Sequence, residues 1–247
     1  MLKTDQTTAN AKATKKMFEK KLYYRRWWNK VGFGRPPANR FATLQEYSKL
    51  IATLAKPQSL ILEVGCGRGY GLQMLRSEGC TNLVGIDLAK VFMQAENTDF
   101  LVAEATHLPL RQDLLDIIFA RKFVDTTDVK GCLKEFRGTL RDEGKLVIEV
   151  PNVKRLASRI YRALGLEPKY DARYFPHLNR ASFQNLLCKS GFMIQRIRGD
   201  YIDIPAIGNA LSRLSHGMLP RTFGRIRPNL CLHLMAVCSK KQEHDEE

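Results

Sequence analysis

The chain has 247 residues, 44% of them hydrophobic, and a formal net charge of +15, enough apolar material for one large core or two small ones. No run approaches the length of a membrane helix, and the N-terminus has no apolar stretch behind its charges, so neither a span nor a secretory leader is expected. The six cysteines show no Cys-x-x-Cys pair and no Cys/His spacing that suits zinc, so no metal is predicted and a reducing cytoplasm fits best. Charge is uneven along the chain: residues 1–60 carry a net +10, residues 61–150 a net −3, and residues 151–247 a net +8. Basic flanks of this kind attract phosphate, anionic lipid or acidic metabolites, or form a plain solvated surface.

In chain order, residues 1–16 are polar and given no role. Residues 17–31 are dense in cations and aromatics, with no single apolar stripe. They read as an N-terminal helix packed on the fold, as a lid whose Tyr23, Tyr24, Trp27 and Trp28 cover a pocket, or as a basic-aromatic face for membrane headgroups or RNA bases. Gly32, Gly34, Pro36 and Pro37 break any helix. Residues 39–55 predict a helix with Leu44, Tyr47, Ile51 and Leu54 on one face, ended by Pro57. It leads into Leu60, Ile61, Leu62 and Val64, a short apolar run expected of a strand buried on both faces, with Glu63 near its end. Gly65, Gly67, Gly69 and Gly71 follow at every second position, and a helix starts behind them, so a strand delivers a backbone loop to a helix N-terminus.

A dinucleotide fingerprint would need glycine where Tyr70 stands. Glu-x-Gly-x-Gly-x-Gly (Glu63, Gly65, Gly67, Gly69) instead resembles the first motif of the class I S-adenosylmethionine-dependent methyltransferases, with the resemblance covering roughly residues 44–191. It implies that Glu63, Gly65, Cys66, Gly67 and Gly69 meet S-adenosylmethionine. Residues 82–88 form a second buried-type strand ending in Asp87, 22 residues after Gly65, where a carboxylate accepts from the ribose hydroxyls of either cofactor type. Leu88 resembles the apolar residue that such enzymes lay against adenine; ordinary core packing is the alternative. Residues 99–110 end in a segment similar to the family's Asp-Ala-x-x-Leu-Pro, here with Glu104 in place of aspartate. By resemblance Glu104 accepts from the adenine amino group and the Ala105 N–H meets the ring, a third station that a dinucleotide enzyme does not need. Residues Trp27, Trp28, Asn29, Asn39 and Arg40 are similar to the region where quinone-biosynthesis O-methyltransferases hold the cofactor carboxylate, which would make Arg40 a clamp; a surface arginine is the alternative.

Residues 114–123 predict a fourth strand, with Asp116 at a structural acidic position. It ends in Ala120, Arg121, Lys122 and Phe123 and lacks the Asn/Asp-Pro-Pro-aromatic run of nucleobase amino-methylating enzymes; no Pro-Cys motif is present either. Arg121 falls where family members contact cofactor or acceptor. A helix on Val129, Cys132, Leu133, Phe136 and Leu140, the turn Asp142, Glu143, Gly144 and a strand over residues 145–150 come next. Asn152 either caps the following helix, the first choice, or bonds an acceptor. Residues 167–179 read as an acceptor loop in which His177 would take the acceptor's proton as a general base, against the alternative of a structural histidine. Two strands, over residues 193–204 and 228–239, bracket an insert that is part of the pocket wall, a membrane-facing element or a helix on the sheet edge.

The expected fold is a doubly wound, Rossmann-like α/β architecture, a seven-stranded mostly parallel sheet with helices on both faces and an antiparallel strand near the end. Residues 1–40 would form a basic-aromatic helical extension, residues 41–240 the methyltransferase domain with acceptor-side segments at 165–181 and 205–227, and residues 241–247 a tail. The expected function is transfer of a methyl group from S-adenosylmethionine to an O or N atom of a small-molecule or lipid-like acceptor. RNA methylation through the basic flanks, or a cofactor-binding partner subunit without turnover, are the alternatives. The expected location is the cytoplasm, or peripherally an anionic membrane surface.

Overall fold

The computed structural model describes residues 38–88, 98–121, 128–152, 158–159, 163, 165, 178–202 and 231–241. The side chains of residues 38–42, Arg40 among them, and the whole of His177 lie outside the described part, as do the basic-aromatic extension, the insert before the last strand and most of the acceptor loop.

Helix α1 (Ala38–Leu54) precedes strand β1 (Ile61–Val64), helix α2 (Tyr70–Ser77), β2 (Leu83–Asp87), β3 (Asp99–Val102) and β4 (Leu115–Arg121). Helix α3 (Val129–Thr139), β5 (Leu140–Pro151), α4 (Arg180–Lys189), β6 (Phe192–Ile202) and β7 (Cys231–Lys240) complete the described elements. The seven strands form one sheet in the order β3-β2-β1-β4-β5-β7-β6. Strand β7 runs antiparallel to both neighbours, and every other pairing is parallel. The expected doubly wound sheet with its antiparallel strand is the one observed.

Alternation along each strand builds the two layers. Leu62, Val64, Ile118, Ala120, Leu146, Ile148, Leu234 and Ala236 face helices α3 and α4, whose Cys132, Leu133, Phe136, Phe183 and Leu187 close that core. Ile61, Ile117, Phe119, Val147, Met235 and Val237 face α1 and α2 through Leu44, Tyr47, Ile51, Leu72 and Leu75. Both parities are apolar because both sheet faces are covered, which is why the strands read as unbroken apolar runs. Each such side chain taken fully out of water stabilises the fold by ~1.5–3 kcal/mol.

Strand β5 starts earlier than the sequence suggests. Leu140 already pairs with Leu115, the register then shifts, and Lys145 pairs with Ile117. Residues 141–144 are therefore looped out within the strand as a bulge, not a turn ahead of it. Asp116 is structural: its Oδ2 accepts from the Leu60 N–H at 2.7 Å and its Oδ1 pairs with Arg141 at 2.8 Å. Asn152 Nδ2 donates to the Cys231 carbonyl at 3.0 Å, which joins the end of β5 to the start of β7; residues 153–157, where its expected cap would form, lie outside the described residues. All six cysteines are free thiols.

Candidate cofactor and acceptor site

The strand order runs outward from β1 in both directions, to β2 and β3 on one side and to β4 and β5 on the other. The carboxyl ends of β1 and β4 thus flank the topological switch point, where open α/β sheets leave a ligand crevice. The loop after β1 opens at that point. Its Gly65, Gly67 and Gly69 all have positive φ, at 72°, 52° and 76°, a region costly for any residue with a Cβ. The Gly65 and Cys66 N–H groups donate to the Ile86 carbonyl at 2.8 and 3.0 Å, fixing the loop to β2. Gly67 N–H donates to Asp87 Oδ2 at 2.9 Å, so the acid of the second strand holds the glycine loop of the first.

Gly71 lies inside α2 and has no positive φ among the backbone exceptions. A Cβ there would fall on the carboxylate of Glu63, 2.6 Å from its Cδ. The fourth glycine therefore makes room for a buried acid. Glu63 is 6% exposed, accepts from the Leu72 N–H, and has an Oε2 with no hydrogen-bond donor among the described residues. Burial pushes its carboxyl up to about 8; the Arg121 guanidinium and the Leu72 N–H pull the other way, and Asp87 adds to the rise.

Cys66 contributes backbone only. Its thiol is buried, which raises its pKa, and packs over Gly85, where a Cβ would stand 2.9 Å from Sγ. Leu88 follows β2 directly and is half-buried. The Ala103 N–H donates to the Asp87 carbonyl at 3.1 Å, which brings Glu104 and Ala105, just past β3, beside the end of β2. Leu108 N–H donates to Glu135 Oε2 at 3.0 Å and anchors the far side of that loop to α3. His107 is exposed, as a surface histidine should be. The carboxyl ends of three adjacent strands thus supply Glu63, Asp87 and Glu104 in succession along one edge.

Arg121 closes β4 on the other side of the switch point, its backbone paired with Glu149 of β5. Its Nε lies 4.0 Å from Glu149 Oε2, and its Cζ 6.0 Å from the Tyr47 ring centroid. Glu149 is 1% exposed, with its Oε1 3.4 Å from His233 Nδ1. Tyr47 is fully buried, stacks on Phe119 at 5.7 Å between centroids, and donates its hydroxyl to Asp200 Oδ2. Burial, together with the carboxylates of Asp200 and Glu149, pushes the Tyr47 phenol well above its ordinary pKa and keeps it a neutral donor. Arg198 completes the group, with Nε 3.7 Å from Asp200 Oδ1 and Cζ 5.5 Å from the same Tyr47 ring. Sequence reading took Tyr47 as core stripe and passed over Glu149, Arg198, Asp200 and His233. The available signal was a polar residue breaking an apolar strand, as in Val147-Ile148-Glu149-Val150 and Cys231-Leu232-His233-Leu234.

A doubly wound parallel sheet with a glycine loop and acids at its switch point defines a Rossmann-like nucleoside-binding domain. Comparison with known proteins narrows this. Residues 62–148 match the family described as methyltransferase domain. A malonyl-[acyl-carrier protein] O-methyltransferase of Hamiltonella defensa is 27% identical over 139 residues, 52% of this chain and 50% of that protein. The chain thus spans about half the length of that curated relative. A putative methyltransferase of Haloferax volcanii, solved in complex with the Trm112 methyltransferase activator, superposes with a TM-score of 0.57 at 17% identity, over 83% of this chain and 95% of that one. A SAM-dependent methyltransferase of Archaeoglobus fulgidus gives 0.57 at 17% identity, over 81% and 94%. Residues 62–148 are thus similar to a methyltransferase domain, and the fold is the one found in a solved S-adenosylmethionine-dependent methyltransferase, whose cofactor is S-adenosylmethionine.

The residues present fit this cofactor. An acid with an unclaimed oxygen suits a cationic amino-acid end, a second acid at the next strand end suits a ribose diol, and a third at the end of the strand beyond suits an amino group of a base. No helix among the described residues is long and apolar enough to cross a membrane.

Proposed function

We propose that the chain transfers the methyl group of S-adenosylmethionine to an O or N atom of a small-molecule or lipid-like acceptor. The observation that carries the reading is the pairing of Glu63 with Gly71 beside the Asp87-held loop, since a buried acid given its own space by a glycine has no structural need of its charge. Glu63, Asp87, Leu88, Glu104 and Ala105 would hold the cofactor, with Gly65, Cys66, Gly67 and Gly69 lending backbone. Bound there, S-adenosylmethionine supplies an already activated methyl group, open to in-line displacement by an acceptor lone pair. The chain's own contribution is then mostly positioning, worth several powers of ten in rate. Arg121 sits on the acceptor side of the switch point, and His177 is the proposed base for an acceptor that must lose a proton. The Hamiltonella relative, named as an O-methyltransferase, supports oxygen as the target.

A second reading is favoured by the likeness to the Haloferax protein, which was solved with an activator: the chain binds cofactor alone and turns over only with a partner. The +15 charge favours an RNA acceptor through the basic flanks as a third. Release of S-adenosylhomocysteine, measured across carboxylate, phenol, amine and lipid acceptors and across RNA, tests the proposal. Turnover on a small or lipid-like acceptor supports it. Turnover on RNA alone, or tight cofactor binding with no release on any acceptor, contradicts it.

A further inference from the structure

Two arginines from strands three places apart in the sheet converge on one tyrosine. Arg121, on β4, and Arg198, on β6, bring their guanidinium carbons within 6.0 and 5.5 Å of the Tyr47 ring centroid. Their side chains are 17% and 14% exposed, so both are largely withdrawn from water. Each has a carboxylate nearby, Glu149 at 4.0 Å from Arg121 and Asp200 at 3.7 Å from Arg198, and both distances exceed hydrogen-bond range. Those carboxylates are also engaged elsewhere: Asp200 accepts from Tyr47, and Glu149 faces His233. Arg121 Nη1 and Arg198 Nε and Nη2 are left buried with no acceptor among the described residues.

This arrangement is costly unless a ligand completes it. A buried donor with no acceptor is destabilising, the more so when it is charged. Core packing alone would be served at lower cost by apolar side chains, as at Phe119 and Val147 on the same sheet face. Guanidinium forks match oxyanions in geometry, and a largely buried pair whose N–H groups lack acceptors among the described residues is a receptor for one. The nearby carboxylates balance the two charges, so recognition here is directional: the ligand is chosen by where its oxygens sit, not by net field.

We propose that Arg198, with Arg121, binds an anionic group of the acceptor, a carboxylate or a phosphate, and so selects an acidic substrate for the methyl transfer. The inference rests on the methyltransferase reading above. Arg121 shares the switch point with Glu63, whereas Arg198 lies three strands farther from the cofactor loop, so an anion held by Arg198 belongs to the acceptor and not to the amino-acid end of the cofactor. Arg198 is a specificity-determining residue in this account, with Tyr47 and Asp200 holding its side chain.

The test uses the full chain saturated with S-adenosylhomocysteine, whose own carboxylate then fills the cofactor site, and inorganic phosphate as the probe. Phosphate is expected to bind this complex and to shift the Arg198 Nε–Hε resonance in a nitrogen-15 spectrum. Arg198→Gln should weaken phosphate binding at least tenfold and Arg198→Lys at least threefold, while S-adenosylhomocysteine affinity stays within twofold in both; the lysine variant keeps the charge that Asp200 needs and guards against loss of fold. If S-adenosylhomocysteine alone saturates the Arg198 signal and phosphate adds nothing, the anion is the cofactor's and the proposal is overturned. Unchanged phosphate binding in Arg198→Gln overturns it as well. Failure of the wild-type chain to bind S-adenosylhomocysteine would instead count against the methyltransferase reading, and phosphate binding measured without it still reads the arginine pair.

Discussion

Gly71 stands directly over the Glu63 carboxylate, so that any side chain at position 71 would occupy the space of the acid's oxygens. Position 71 is helical, and alanine there would ordinarily stabilise the helix by about 1 kcal/mol. Here Gly71→Ala must push Glu63 aside. We expect the substitution to weaken S-adenosylhomocysteine binding at least tenfold in calorimetry and to lower Tm despite the better helix former. A variant with raised Tm and unchanged affinity would mean that Glu63 is not held where the cofactor needs it.

The titration of Glu63 gives a second prediction. Its carboxyl is raised from 4.5 to about 8 in the folded chain by burial. Between those values the folded chain keeps a proton that the unfolded chain has lost, so stability is highest at and below the unfolded value and falls as pH rises through the window. The full loss is on the order of 3–6 kcal/mol. Glu63→Gln should therefore melt above the wild type at pH 9, with the gap closing toward pH 5. A cationic ligand beside Glu63 favours the ionised form, so binding of S-adenosylmethionine at pH 7 should release about one proton, read from calorimetry in buffers of different ionisation enthalpy. A gap that does not depend on pH, or no proton release, would contradict the assignment.

Tyr47 and Asp200 are 153 positions apart and joined by one buried hydrogen bond. Tyr47→Phe keeps the ring on Phe119 but leaves Asp200 Oδ2 without its donor, at a cost of about 1–3 kcal/mol. In a domain of this size that lowers Tm by roughly 3–10 °C. If the arginine pair depends on this tie, phosphate binding also weakens while cofactor binding does not. A neutral Tyr47→Phe would show that the tie is dispensable.

What the sequence made legible follows from the range of each physical signal. Buried strands announce themselves locally: Leu60, Ile61, Leu62 and Val64 are apolar on both parities because both faces are covered, and an acid ending such a run, as Asp87 does, has few reasons to be there. Glycines needed for positive φ at 65, 67 and 69 are local too. Gly71 was read as part of the same series, although its reason is a side chain eight residues upstream. The early start of β5 was hidden because the bulge at residues 141–144 has the composition of a turn. That Tyr47, Arg121, Glu149, Arg198, Asp200 and His233 form one group was not legible, since its members meet only once β7 is inserted between β5 and β6. Nothing within ten positions of Arg198 specifies the tyrosine it packs on.

The most direct test of the account is calorimetric titration of S-adenosylhomocysteine into the wild-type chain and into Asp87→Ala. Asp87 holds the Gly67 N–H and, in the proposed site, accepts from the ribose, so its removal takes away two charge-assisted hydrogen bonds, about 1.5–3 kcal/mol each. The account predicts one-to-one binding to the wild type and at least a tenfold loss in the variant, with both proteins folded by circular dichroism. Equal affinity in the two, or no binding to the wild type, would contradict it.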